Sequence, residues 1–111
     1  MRELSPSDRV LIEAKCQRAV LKNLDEIGRQ IGPRVRMKQI IVERGVVSGL
    51  RNMRVDETSG WNDLFLAGLL GKSVEATILE SVEFRQLFKP DELQQMDDEL
   101  RASGYIPRSP T

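Results

Sequence analysis

From Ser7 to Ile31 apolar side chains recur at Val10, Ala14, Val20, Leu21, Leu24, Ile27 and Ile31, a stripe roughly 140° wide at about 100° per residue. A run of this length and period commits the first quarter of the chain to one amphipathic helix, with Ser7 or Asp8 as its cap and Gly32-Pro33 as its stop. Lys15, Arg18, Lys22, Asp25, Glu26 and Arg29 lie outside the stripe, while Glu13 and Gln17 fall inside it. At about 1.5 Å per residue the helix is roughly 36 Å long, more than a domain of this size needs to cover its own core. The plain reading is a long core helix, and the functional one gives part of it to a partner as a dimerisation helix.

The chain that must pack around this helix has 111 residues, 40% apolar and 31% charged. That is enough for one globular domain with one core, of the soluble class. No run of about 18 apolar residues is present, and the first residues lack the apolar centre of a signal peptide, so no membrane is expected and the reading is cytoplasmic. The single cysteine, Cys16, forms no internal disulfide and reads as a small hydrophobe at the edge of the stripe. Histidine is absent altogether. Ser-His and Cys-His catalysis and nearly every zinc arrangement therefore fall away together.

Charge is segregated although the total is zero. Residues 29 to 54 carry seven basic side chains against Glu43 alone, a net of +6, whereas residues 56 to 99 carry eleven carboxylates against Lys72, Arg85 and Lys89, a net of −8. Such a chain either offers a basic surface to an anion or pairs with itself. The basic segment, residues 32 to 55, reads in two ways. As a helix it has Pro33 in its first turn, Met37, Ile40 and Ile41 on one face, Arg44 in its last turn and Gly45 just beyond. As a β-hairpin over residues 35 to 48 it has Ile40, Ile41, Val42, Val46 and Val47 around Arg44-Gly45. The helix is preferred. A second short helix, capped by Ser48 and running through Leu50 and Met53, then makes a loose helix-turn-helix bearing Arg51, Asn52 and Arg54.

Asp56 to Gly60 is a polar turn cluster that separates the basic third from an acidic helical half at residues 60 to 104. Trp61, Leu64, Phe65, Gly68 and Leu69 have helical spacing, with Leu66 and Leu70 widening the apolar surface to that of a central helix. Gly68-Leu69-Leu70-Gly71-Lys72-Ser73 resembles a phosphate-binding loop only superficially, because the glycine needed five positions before Gly-Lys-Ser is replaced by Leu66 and no strand precedes it. No nucleotide is expected. Gly71 instead ends one helix and Ser73 caps the next, with Val74, Ile78, Leu79 and Val82 inward; its Glu75 and Glu80 would repel a phosphate backbone. A last helix opens at Pro90-Asp91-Glu92, buries Leu93, Met96 and Leu100, and closes at Gly104. Tyr105 and Ile106 fold back on it, and residues 107 to 111 trail into solvent. The carboxylates of that helix lack the spacing of a calcium loop and read as a solvated face.

The fold class is thus all-α, a compact single-domain helical bundle over residues 1 to 111 with a long N-terminal helix, the alternative being α+β with a small hairpin. No catalytic, metal or cofactor residue is identified, and the chain reads as non-enzymatic. Its candidate binding surface is Arg34, Arg36, Lys38, Arg44, Arg51 and Arg54. The leading function is a small regulatory protein that docks on a protein partner or on itself as a homo-oligomer, the basic middle of one subunit meeting the acidic C-terminal third of another. The alternative is a nucleic-acid-binding regulator using the same cations on phosphates and base edges.

Overall fold

The computed structural model describes residues 4–32, 35–51, 64 and 66–111. Among them are six α-helices and no strand: α1 (Pro6–Ile31), α2 (Val35–Arg44), α3 (Val46–Arg51), α4 (Val74–Leu79), α5 (Val82–Arg85) and α6 (Pro90–Ala102), with a 3-10 turn at Leu70–Lys72 before α4. The bundle is all-α. The hairpin alternative is overturned, because Met37, Ile40 and Ile41 gain a buried face only at helical spacing. Ile41, Val46 and Val47 enter the core and Val42 stays 55% exposed.

At its 26 residues, and about 1.5 Å of rise for each, α1 matches the molecule's longest dimension of 39 Å. Its cap, Ser5, lies two or three residues before the expected Ser7 or Asp8. The Ser5 hydroxyl accepts from the Asp8 amide at 3.1 Å, and Pro6 occupies the first helical position, where its missing N–H leaves nothing unpaired. Its buried stripe is Ile12, Cys16, Val20, Leu24 and Ile27. The C-terminal part agrees with the expected stripe, but Val10 is 66% exposed and Ala14 is exposed too, because the other elements pack on the Ile12 and Cys16 side.

Gly45 makes the whole turn between α2 and α3. Its φ of +82° is a left-handed conformation that suits glycine, its N–H caps Ile41 O at 2.8 Å, and its carbonyl accepts from Gly49 N at 2.9 Å. Ser48 therefore lies inside α3 instead of capping it, and Met53 lies outside the described residues. A Cβ at Gly49 would stand 3.2 Å from Ile40 Cγ2, so the absence of a side chain there lets α3 approach α2 closely.

Of the expected central helix, Trp61 and Phe65 lie outside the described residues. Leu64 and Leu66 are helical, Gly68 at φ +70° ends the run, and Leu69 and Leu70 turn inward while Leu66 is left 74% exposed. Ser73 caps α4 as anticipated, its hydroxyl accepting from Ala76 N at 3.1 Å. α4 stops at Leu79, and Ser81 caps the separate single turn of α5, which leaves Val82 exposed instead of inward. Pro90 opens α6, and the Glu92 carboxylate accepts from Lys89 N at 2.9 Å. One cluster gathers the buried apolar residues of α1 to α4 and α6 together with Leu64, Leu69, Leu70, Leu87 and Phe88.

The last seven residues do not trail away. Thr111 N donates to Glu80 O at 3.2 Å and Val82 N donates to Thr111 O at 3.1 Å. Arg108 N donates to Glu80 Oε2 at 2.9 Å, and the Tyr105 hydroxyl donates to the same oxygen. Pro107 and Pro110 favour the extended backbone that these bonds require. Tyr105 packs on the core, whereas Ile106 remains 70% exposed and does not fold back.

Candidate functional site

Helical geometry distributes the basic segment over two directions. Arg36, Lys38 and Arg44 belong to α2, Arg51 ends α3, and Arg34 and Arg54 lie outside the described residues. At about 100° per residue, Met37 and Ile41 face inward, so Val35, Gln39 and Val42 form the outward stripe, with Arg36 on one flank and Lys38 on the other. All five outward residues are exposed, as are Glu43 and Arg44 at the C-terminal end. The result is a narrow apolar strip, Val35 and Val42 being 68% and 55% exposed, edged by cations. Arg44 Nη and Nε groups make no ion pair among the described residues, whereas Lys38 Nζ is 2.9 Å from Asp25 Oδ1.

Arg51 is directed elsewhere. Its Nε and Nη2 donate to the two oxygens of Glu92 at 2.8 and 3.0 Å, a bidentate fork that joins α3 to the first turn of α6. The hydrogen bond from Arg51 is the main reason that the Glu92 carboxyl falls to about 2, with the Lys89 amide adding to it. The same contact raises the Arg51 pKa. Part of the positive charge counted along the sequence is thus neutralised within the chain.

Near residues 68 to 73 the groups that a phosphate loop would use are committed. Ser73 Oγ caps α4, and Lys72 Nζ bonds to Glu26, lowering that carboxyl through hydrogen bond and charge. The adjoining cavity of about 490 Å³ is lined by Gly68, Gly71, Lys72, Glu80, Tyr105 and Arg108 among others. The one carboxylate among its described lining residues, Glu80, already holds the Tyr105 hydroxyl and the Arg108 amide. Burial, and then the bond to Glu80, pushes the Tyr105 phenol up to about 12. A Cβ at Gly71 would come within 3.1 Å of the Tyr105 hydroxyl, so the ring closes over a glycine.

Two titratable groups lie in the interior. Cys16 is fully buried, and burial followed by the charge of Glu13 pushes its thiol up to about 12, which leaves it protonated and unreactive. Glu75 is only 6% exposed, in the first turn of α4. Burial raises its carboxyl to about 7, its own backbone amide opposes that shift, and Glu99 adds to it. No ion pair to Glu75 exists among the described residues. In the sequence the one mark of this burial is the position of Glu75 between Val74 and Ala76, with Ile78 and Leu79 three and four residues on.

Among the described residues no group of three metal-ligating side chains forms, and no helix is long and apolar enough to cross a membrane. No protein-family model matches the chain, and no curated protein or solved structure matches it either.

Proposed function

We propose that this is a non-enzymatic docking protein whose α2 outer face binds a carboxylate-rich helical surface, with the outer face of α6 on a second copy as that surface. The observation that carries the reading is the bare strip of Val35 and Val42 edged by Arg36 and Lys38. Desolvated apolar contacts supply affinity in such an interface, and flanking charge supplies steering and register. α6 offers Asp91, Asp98 and Glu99, all exposed. A basic face that meets a different, acidic face is a heterologous contact, so closed rings or short open assemblies are its natural products.

Sedimentation velocity at low and high salt tests this reading. Assembly should weaken with salt, and Lys38→Glu/Arg44→Glu and Asp98→Lys/Glu99→Lys should each sediment as monomers. An equimolar mixture of the two variants should associate again, since each contributes one intact or complementary face. A wild-type monomer at about 100 μM, a concentration that populates even weak protein contacts, would end the self-association reading.

A nucleic-acid-binding role draws its support from the tight α2-Gly45-α3 pair. Against it, Arg51, the cation placed on the second helix of that pair, is held by Glu92. Anisotropy of labelled duplex and single-stranded DNA decides between them, because phosphate binding brings a steep salt slope.

A further inference from the structure

Residues 56 to 99 contain three cations against eleven carboxylates, and the fold brings two of those three, Arg85 and Lys89, to one groove together with Arg9 from α1. We propose that this groove docks an acidic amphipathic helix from a partner protein. The site lies apart from α2, although α6, whose outer face the function proposed above uses, supplies one of its walls.

The groove encloses about 1270 Å³. Leu79 and Phe88, both buried, form its floor, and Leu4, Pro90 and Leu93 form its apolar walls. Arg85 is fixed in place, since its Nη1 donates to Leu79 O at 3.2 Å while its other donors remain available. Arg9 and Lys89 are exposed at the rim. Among the described lining residues the one carboxylate, Asp97, is bound to Arg101 Nε at 2.8 Å. An apolar trough inside a ring of cations therefore survives in the half of the chain that is otherwise negative.

Size and charge together select the occupant. Small-molecule pockets run to about 1,000 Å³ and enclose most of their ligand, whereas this trough is larger and open along one side. A helix laid in it would insert residues at i, i+3 or i+4, and i+7 and leave its polar flanks against the rim. Three cations favour glutamate or aspartate on those flanks and disfavour lysine.

The test is fluorescence anisotropy with a labelled peptide of about four helical turns, leucine at every third or fourth position and glutamate between, alongside its counterpart with lysine in place of glutamate. The glutamate peptide should bind at least about tenfold more tightly than the lysine peptide. Arg9→Gln/Lys89→Gln, which alters only exposed side chains, should weaken it by about tenfold with its thermal melt unchanged, and amide shifts on titration should concentrate at Phe88, Lys89 and Leu93. Lys38→Glu/Arg44→Glu should bind the peptide as wild type does. Equal affinity for the two peptides, no binding, or loss of binding in the α2 variant instead of the groove variant would each overturn the proposal. So would displacement of the peptide by sub-micellar oleate at a lower concentration than unlabelled peptide requires, since the trough would then be an acyl-chain site.

Discussion

Arg51 and Glu92, 41 positions apart, are joined by two hydrogen bonds of 2.8 and 3.0 Å, and through them the end of the basic stretch is fastened to the start of the acidic helix. The link pairs charges that the sequence holds far apart and ties the end of α3 to the first turn of α6.

Glu92→Gln should lower stability at pH 7 by about 1 kcal/mol. The fall of the Glu92 carboxyl to about 2 would by itself imply more, but the Arg51 side chain is 42% exposed and water screens the pair. Because the folded value lies below the ordinary one near 4.5, this contribution is present above that pH and is lost as pH falls toward 2. Urea melts at pH 7 and pH 2.5 check it: the difference between wild type and variant should shrink at the lower pH.

Glu75 carries the opposite sign. With a folded value of about 7 against an ordinary 4.5, the folded state holds the proton more strongly, so its stabilising effect is complete below 4.5 and disappears as pH rises through 7. Among the described residues Glu99 of α6 is the charged group that acts on it, and its negative charge adds to the effect of burial. Wild type should melt lower at pH 8 than at pH 5.5, and Glu75→Gln should remove most of that difference while gaining on the order of 2 kcal/mol at pH 8. Equal melting temperatures for wild type at the two pH values would sink the idea.

Gly45→Ala should cost about 1 kcal/mol, mostly from forcing an L residue into the left-handed region at φ +82°. The nearest atom to the new Cβ is Glu13 Oε1 at 3.2 Å, the end of a side chain that can move aside. Thermal denaturation of the variant measures it, and Gly45→Asn should recover part of the loss, since asparagine tolerates that conformation better.

Tyr105 is the only tyrosine, so absorbance at alkaline pH reports it alone. Its phenol should ionise near pH 12. Glu80→Ala should bring that midpoint back toward 10 and speed hydrogen exchange at the Arg108 amide, which the Glu80 carboxylate holds, while the Thr111 amide keeps its bond to the backbone carbonyl of residue 80. The core should be unaffected, because Ile78 and Leu79 stay in place.

Legibility in the sequence followed the range of each interaction. The caps at Ser73 and Ser81 and the Pro90 start are decided within four residues, although Ser81 becomes meaningful only once α4 stops at Leu79. In the first half of α1 two apolar rows compete, Val10 with Ala14 and Ile12 with Cys16, and only the packing of distant segments determines which is buried. Of the basic segment, the sequence shows that Arg36, Lys38 and Arg44 share one helix, α2. The diversion of Arg51 to Glu92 could not be seen, since nothing local marks a partner 41 residues away. The same holds for Glu80 and the groove cations, whereas Glu75 has a local mark in its apolar neighbours Val74, Ala76, Ile78 and Leu79. Their environments are assembled from several helices.

Cys16 has one last use. A lone thiol sealed at the middle of the longest helix converts the chain into a recorder of its own breathing: an alkylating reagent in solution can reach it only during moments when the interior parts. The rate of labelling then counts those moments, and any partner that clamps the bundle shut should slow the count in proportion to its occupancy.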